Sequence, residues 1–198
     1  MPKLASATRQ RRRQEFIAAA WKCAVRSGYR DLTIDAVCAE AGVSKGAFYV
    51  YFASKRELLL ALLDDDATGW ERLMDEFASS GASPRARLRL FTRAMLERAG
   101  DPALVQVRAD LWTVMLTEVE VRDRFVEAME RRRTRLREWI REGVESGELT
   151  PIPDNAFASI LLALGDGLLL HGAVAPAGFR WSNIRQALDV LLEGISRP

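Results

Sequence analysis

Residues 33–52, TIDAVCAEAGVSKGAFYVYF, decide the fold. Ile34, Val37, Cys38 and Ala41 recur at i, i+3, i+4 and i+7, which puts four apolar side chains on one face of a helix. Thr33 stands where an N-cap is wanted, and Leu32 before it can staple to Val37 in the first turn. The same grammar follows at once with Val43, Ser44 as cap, and Phe48. Gly42 can take positive φ without steric cost, so the chain can reverse within about three residues. The stretch predicts two short helices joined by a tight turn, a helix-turn-helix.

A chain of 198 residues holds one domain of ordinary size or a small domain attached to a larger one. Its first residues, MPKLASATRQRRRQ, are basic without the apolar run of a signal peptide, and no 18 uncharged apolar residues occur in a row. A cytoplasmic protein without a membrane partner is the expectation. Two cysteines, Cys23 and Cys38, and one histidine cannot build a Cys/His metal cluster, and no cofactor is implied. The net charge of +2 hides a division: residues 1–60 hold eleven Lys/Arg against five acids, and residues 61–198 eighteen against twenty-two. Only the first part is suited to a polyanion.

Thr8 to about Ser27 reads as a first helix, stopped by Gly28. Ser54-Lys55-Arg56-Glu57 is a capping box that opens a long fourth helix, to about Phe77, with no Gly/Pro-rich linker before it. That helix is expected to join the two parts rigidly. Ser83-Pro84, Asp101-Pro102 and the capping box Thr117 to Glu120 open helices at about 84–99, 102–116 and 118–146. Asp154 caps a strongly apolar helix to about Ala173, and Ser182 caps a last one running to 196. No period-two alternation persists, so no sheet is expected.

Thr33-Ile34, Ala41-Gly42-Val43-Ser44, Lys45-Gly46, Phe48-Tyr49, Tyr51-Phe52, Lys55 and Leu58 stand in an order and spacing that resembles the TetR family of transcriptional regulators. The likeness covers about residues 9–62, with a fainter echo at Asp166-Gly167-Leu168-Leu169-Leu170. The helices read from caps and spacing make an all-α chain of about nine helices, and with the likeness it is expected to carry a three-helix DNA-binding domain at 1–52 and a ligand-binding and dimerisation domain at 53–198. The likeness implies also a homodimer on double-stranded, palindromic operator DNA, released by an unidentified small-molecule effector. By that correspondence Thr33, Lys45, Gly46, Ala47, Tyr49, Val50, Tyr51 and Lys55 meet DNA.

The residues themselves agree. An α-helix fits the major groove, and its first residues reach base edges; here those are Ser44, Lys45 and Gly46. Lys45 can donate to guanine or phosphate, and Ala47 can touch a thymine methyl. Tyr49 and Tyr51 offer hydroxyls to phosphates. Lys55 and Thr33, at helix starts, suit phosphate as well. Phe48, Phe52 and Val43 face the core.

Two rival readings compete. Gly42-Val43-Ser44-Lys45-Gly46 satisfies the G-x-S-x-G of esterases, and Asp154 or Asp166 followed by His171 completes the order Ser, Asp, His. That elbow needs a strand before the serine, whereas residues 33–41 have helical periodicity, so no enzyme is read here. The other rival is a ligand-binding or scaffolding bundle that never meets DNA; salt-dependent duplex binding separates it from a regulator.

Farther along, Arg131-Arg132-Arg133 with Arg135 and Arg137 is interleaved with Glu127, Glu130 and Glu138, and reads as a solvated helical face. His171 reads as a core or interface residue. Ile160, Leu161, Leu164 and Leu168, with Leu188, Leu191, Leu192 and Ile195, form broad stripes expected to pair with a second subunit, Gly165 and Gly172 permitting close approach. Phe91, Met95, Arg108, Trp112, Met115, Phe125 and Trp139 fall on the helices that line the family's ligand cavity and are the expected effector contacts.

Overall fold

The structure, a computed structural model, describes residues 2–195. Among them are nine α-helices and no strand: α1 (Pro2–Ser27), α2 (Ile34–Ala41), α3 (Lys45–Tyr49), α4 (Lys55–Ser79), α5 (Pro84–Ala99), α6 (Pro102–Thr117), α7 (Val119–Glu145), α8 (Asp154–Val174) and α9 (Trp181–Gly194). A single 3-10 turn, Pro176–Gly178, lies between the last two. Ser196, where α9 was expected to end, lies outside the described residues.

The chain divides into two compact units, Met1–Ala67 with Gln106–Phe125 and Thr68–Val105 with Val126–Pro198, each over its described residues. The first is built on α1, α2 and α3. Phe16, Phe48 and Phe52 meet at ring-centroid distances of 5.5–6.1 Å, two of the three pairs edge to face, and Val37, Cys38, Leu58 and Leu59 close around them. Such pairs add about 0.5–1.5 kcal/mol each beyond their buried area. The aspartates at 64–66 of α4 tie this unit further: Asp64 takes Arg124, Asp65 takes Gln14 and the Trp21 indole, and Asp66 takes Arg108.

The second unit packs Trp70, Leu88, Phe91, Leu136, Trp139 and Ile140 as its centre. Helix α8 is the one described helix long and apolar enough, by length and composition, to cross a bilayer. It carries Asp166, and it buries Ala158, Leu161, Leu162, Gly165 and Leu169 against its own unit. Gly165 and Gly172 allow close approach within the chain itself. A Cβ at Gly165 would stand 2.6 Å from the Met95 sulfur, and one at Gly172 3.0 Å from the Trp181 ring.

Three expected caps also shift. Thr117 donates back to Thr113 O and so closes α6 instead of opening α7. Asp154 is the first residue of α8, behind Pro153, and its carboxylate accepts from Asn155 N at 2.7 Å and from Arg141 at 3.1 Å. Those hydrogen bonds, Arg141 first, hold its pKa below the usual range. Helix α9 begins at Trp181, ahead of Ser182, because the Trp181 ring docks against Gly100 and Gly172.

Candidate nucleic-acid interface

Local chemistry sets the angle between α2 and α3. Thr33 is extended (φ −118°, ψ 153°) and its hydroxyl accepts from Ala36 N at 3.1 Å. Gly42 is left-handed (φ 66°), with its N–H on Ala39 O and the Val43 N–H on Cys38 O. This is a Schellman ending, which satisfies two orphan carbonyls and turns the chain at once. Ser44 then caps α3 by accepting from Ala47 N at 3.3 Å. The same hydroxyl that completes the G-x-S-x-G pattern is thus a helix cap, behind a turn and not a strand.

Helix α3 sorts its side chains cleanly. Phe48 is fully buried and Val43 and Ala47 pack partly against the same core, while Tyr49 and Val50 stand 51% and 61% exposed. Lys45 is exposed too, and its ammonium lies 2.9 Å from Asp35 Oδ1, a contact that raises its pKa. Around Gly46 a Cβ would meet only Ser44 Oγ, at 3.8 Å. Arg9 of α1 donates to Val50 O at 3.3 Å and so fixes the far end of α3.

Two expected contacts sit differently. Tyr51 is half-buried, its ring tilted against Phe16 at 5.5 Å, because it follows the turn that leads Phe52 into the core. The Lys55 ammonium donates to Arg30 O at 3.2 Å and lies 4.8 Å from the centre of the Tyr29 ring. Burial lowers its pKa and raises that of Tyr29 to about 12. Lys55 therefore braces the loop between α1 and α2 in this structure, instead of standing free at the start of α4.

Sequence reasoning missed Asp35 and the bracing of that loop. Gly28 (φ 78°) places its α-carbon so close to α6 that a Cβ would lie 2.6 Å from Asp110 Oδ2, the atom that accepts from Arg30 N at 3.2 Å. The opposite charges of Asp35 and Lys45 were visible, but only the turn geometry brings residues ten apart into contact.

The residues expected at an effector site fall in two separate cores. Phe91, Met95 and Trp139 belong to the second unit's core. Met115, Trp112 and Phe125 belong to the first, where the two rings meet edge to face at 5.7 Å, and Arg108 is paired with Asp66. Of the residues expected at a dimer interface, Leu161, Leu188 and Leu192 are buried within the chain itself. Leu164, Leu168 and Ile195 pack partly against the second unit's core. Ile160 and Leu191, 59% and 65% exposed, remain outward. His171 is exposed rather than core, 6.4 Å from the Phe179 ring.

The arginine run of α7 is occupied within its unit: Arg131 with Glu71, Arg133 with Glu130, Arg135 with Asp75, and Arg137 with Asp154. A groove of about 530 Å³ lies along Glu71, Asp75, Arg131 and Arg135.

Comparison with known proteins gives this geometry a setting. Residues 16–62 match the profile of bacterial regulatory proteins of the tetR family, and residues 84–197 that of the C-terminal part of BetI-type transcriptional repressors. The transcriptional regulator AcuR of Cereibacter sphaeroides is 40% identical over 81 residues, 40% of this chain and 37% of that protein. The HTH-type transcriptional repressor AcnR of Corynebacterium diphtheriae is 24% identical over 98% of this chain and 97% of its own. Among solved structures, a transcriptional regulator from Saccharomonospora viridis in complex with choline superposes with a TM-score of 0.80 at 25% identity, covering 94% of this chain and 98% of that one. A TetR regulator from Haloarcula marismortui superposes with a TM-score of 0.83 at 24% identity, covering 95% and 100%.

Proposed function

This chain belongs to the TetR family of bacterial transcriptional regulators, and from that membership we propose that it is a repressor that binds a palindromic operator as a homodimer. Residues 1–52 meet the DNA; residues 53–198 dimerise and bind a small molecule whose arrival releases it. The observation that carries the reading is the division of α3, with Phe48 sealed in the core and Lys45, Tyr49 and Val50 presented outward behind a capped turn. A helix held by its inner face this way offers its first residues to base edges and its hydroxyls to phosphates. Lys45, Gly46, Tyr49 and Val50 line the groove-facing side, with Thr33, Ser44, Ala47 and Tyr51 around them. Lys55 reaches a phosphate by leaving the Arg30 carbonyl.

The effector acts by its unequal affinity for the DNA-bound and free shapes, so it weakens DNA binding by the same factor that DNA weakens effector binding. The choline held by the Saccharomonospora relative supports a small-molecule site in a chain of this build. A protein that acts on the chromosome works in the cytoplasm.

The test is binding to the duplex just upstream of its own coding region, where an inverted repeat is expected. Affinity should fall steeply with salt, as phosphate neutralisation requires. Lys45→Ala and Tyr49→Ala should each weaken binding roughly tenfold, in keeping with about 1–3 kcal/mol for a good groove contact, while size-exclusion profiles stay unchanged. Undiminished affinity in both variants would overturn the site.

A further inference from the structure

Asp35 is the second residue of α2 and Lys45 the first of α3. The left-handed turn at Gly42 brings them together, so that the Lys45 ammonium lies 2.9 Å from one Asp35 oxygen and 3.1 Å from the other. Both side chains are exposed, 53% and 71%, and neither belongs to the core. An exposed pair of this kind contributes little to the fold. A carboxylate on a surface that meets a polyanion is unfavourable there unless it has a partner on the DNA. Gly46, next to Lys45, leaves the pair clear of side-chain bulk.

We propose that Asp35 and Lys45 act as one unit that reads a guanine·cytosine pair in the major groove, Asp35 being the specificity-determining member. The proposal rests on α3 being the recognition helix. Guanine offers N7 and O6 side by side as acceptors, and its cytosine offers the N4 amino group as donor. O6 and N4 are hydrogen-bonded to each other and so stand about 2.9 Å apart, which matches the Lys45–Asp35 separation of 2.9 Å. The ammonium against O6 and N7, with the carboxylate against N4, leaves each charge matched without breaking the ion pair.

Adenine·thymine alternates acceptor, donor, acceptor, with a methyl group beside the last. Set over that edge in the same direction, the carboxylate meets thymine O4, another acceptor. Reversed, thymine O4 and adenine N6 keep the acceptor and the donor, but the methyl group takes the place of guanine N7, so the ammonium loses its second acceptor. Against phosphate, the pair offers an ammonium already neutralised, so Asp35 also subtracts from sequence-independent attraction.

The experiment selects sites from a random duplex library with the full-length wild type, Asp35→Ala and Asp35→Asn, and titrates each protein over a salt series on a duplex lacking any inverted repeat. The wild type should enrich an inverted repeat with a guanine·cytosine pair at one position of each half-site. Asp35→Ala should keep the other positions and lose roughly tenfold discrimination at that one. Asp35→Asn, which preserves size, should move the preference there towards adenine, whose N6 and N7 suit a carboxamide. On the non-cognate duplex the alanine variant should bind several-fold tighter, with a salt slope steeper by about 0.9 for each lysine set free. Identical base preferences in all three proteins overturn the proposal. Failure of the wild type to select any site overturns the recognition-helix reading instead.

Discussion

Single residues in this chain differ in how much of their role is local. Gly42 and Gly28 are both left-handed, but nothing lies within 4 Å of the place a Cβ would occupy at Gly42, whereas Asp110 crowds that place at Gly28. Gly42→Ala should therefore cost only the backbone penalty of about 1 kcal/mol. Gly28→Ala should cost about 2–3 kcal/mol, because the Asp110 carboxylate must also leave the Arg30 N–H it accepts from. Urea denaturation of the two variants measures the difference. Adding Asp110→Ala to Gly28→Ala should give a loss smaller than the sum of the two single changes, as expected where one clash is shared. Phe48 and Tyr49 make the same point for site residues. They are adjacent, yet one is sealed in the core and the other is half-exposed, as the period of a helix requires.

Between elements, the contact of α1 with α2 has a charge component that can be titrated. Glu40 of α2 accepts from Arg26 at 2.8 Å and faces Lys22 at 3.4 Å, both on α1. The hydrogen bond from Arg26 is the main reason its pKa lies below the usual carboxylate value. A carboxylate with a depressed folded-state pKa contributes stability that is complete above its unfolded value of about 4.3 and is lost as pH falls through the lower folded one. Glu40→Gln should accordingly melt below the wild type at neutral pH, and the gap should close below about pH 4 in thermal melts followed by circular dichroism. The α7 arginines belong to this scale too. Periodicity alone predicts pairing along their own helix, which holds for Arg133 with Glu130 and, at 3.9 Å, for Arg135 with Glu138, but Arg131 and Arg135 also reach across to α4.

At the scale of the whole molecule, the proposed dimer rests on a narrower apolar face than the stripes of α8 and α9 imply. Leu161, Leu188 and Leu192 serve the chain's own core, while Ile160, Val190 and Leu191 stay about 60% exposed or more. Ile160→Glu and Leu191→Glu should give a folded monomer by light scattering, with unchanged helicity and lost operator affinity, since two recognition helices about 34 Å apart are needed for successive major grooves. Leu161→Glu should instead unfold its unit, because it places a charge at a position only 3% exposed.

The sequence alone determined the helices, the helix-turn-helix with its caps and turn, and the division of α3 into an inner and an outer face. These follow from spacing of 3–4 residues, cap chemistry and glycine's freedom, all carried within a few residues of each other. Only the tertiary structure decided the rest: that Lys45 is chelated by Asp35, that Lys55 and Tyr51 turn inward, that Gly165 and Gly172 accept Met95 and Trp181 of the same chain, and which leucines of α8 and α9 remain outside. The physical reason is common to all four. A helical period says that a side chain needs an apolar or charged partner, but the partner's identity depends on where distant elements pack. A leucine that faces its own core and one that faces a second subunit satisfy the same periodicity.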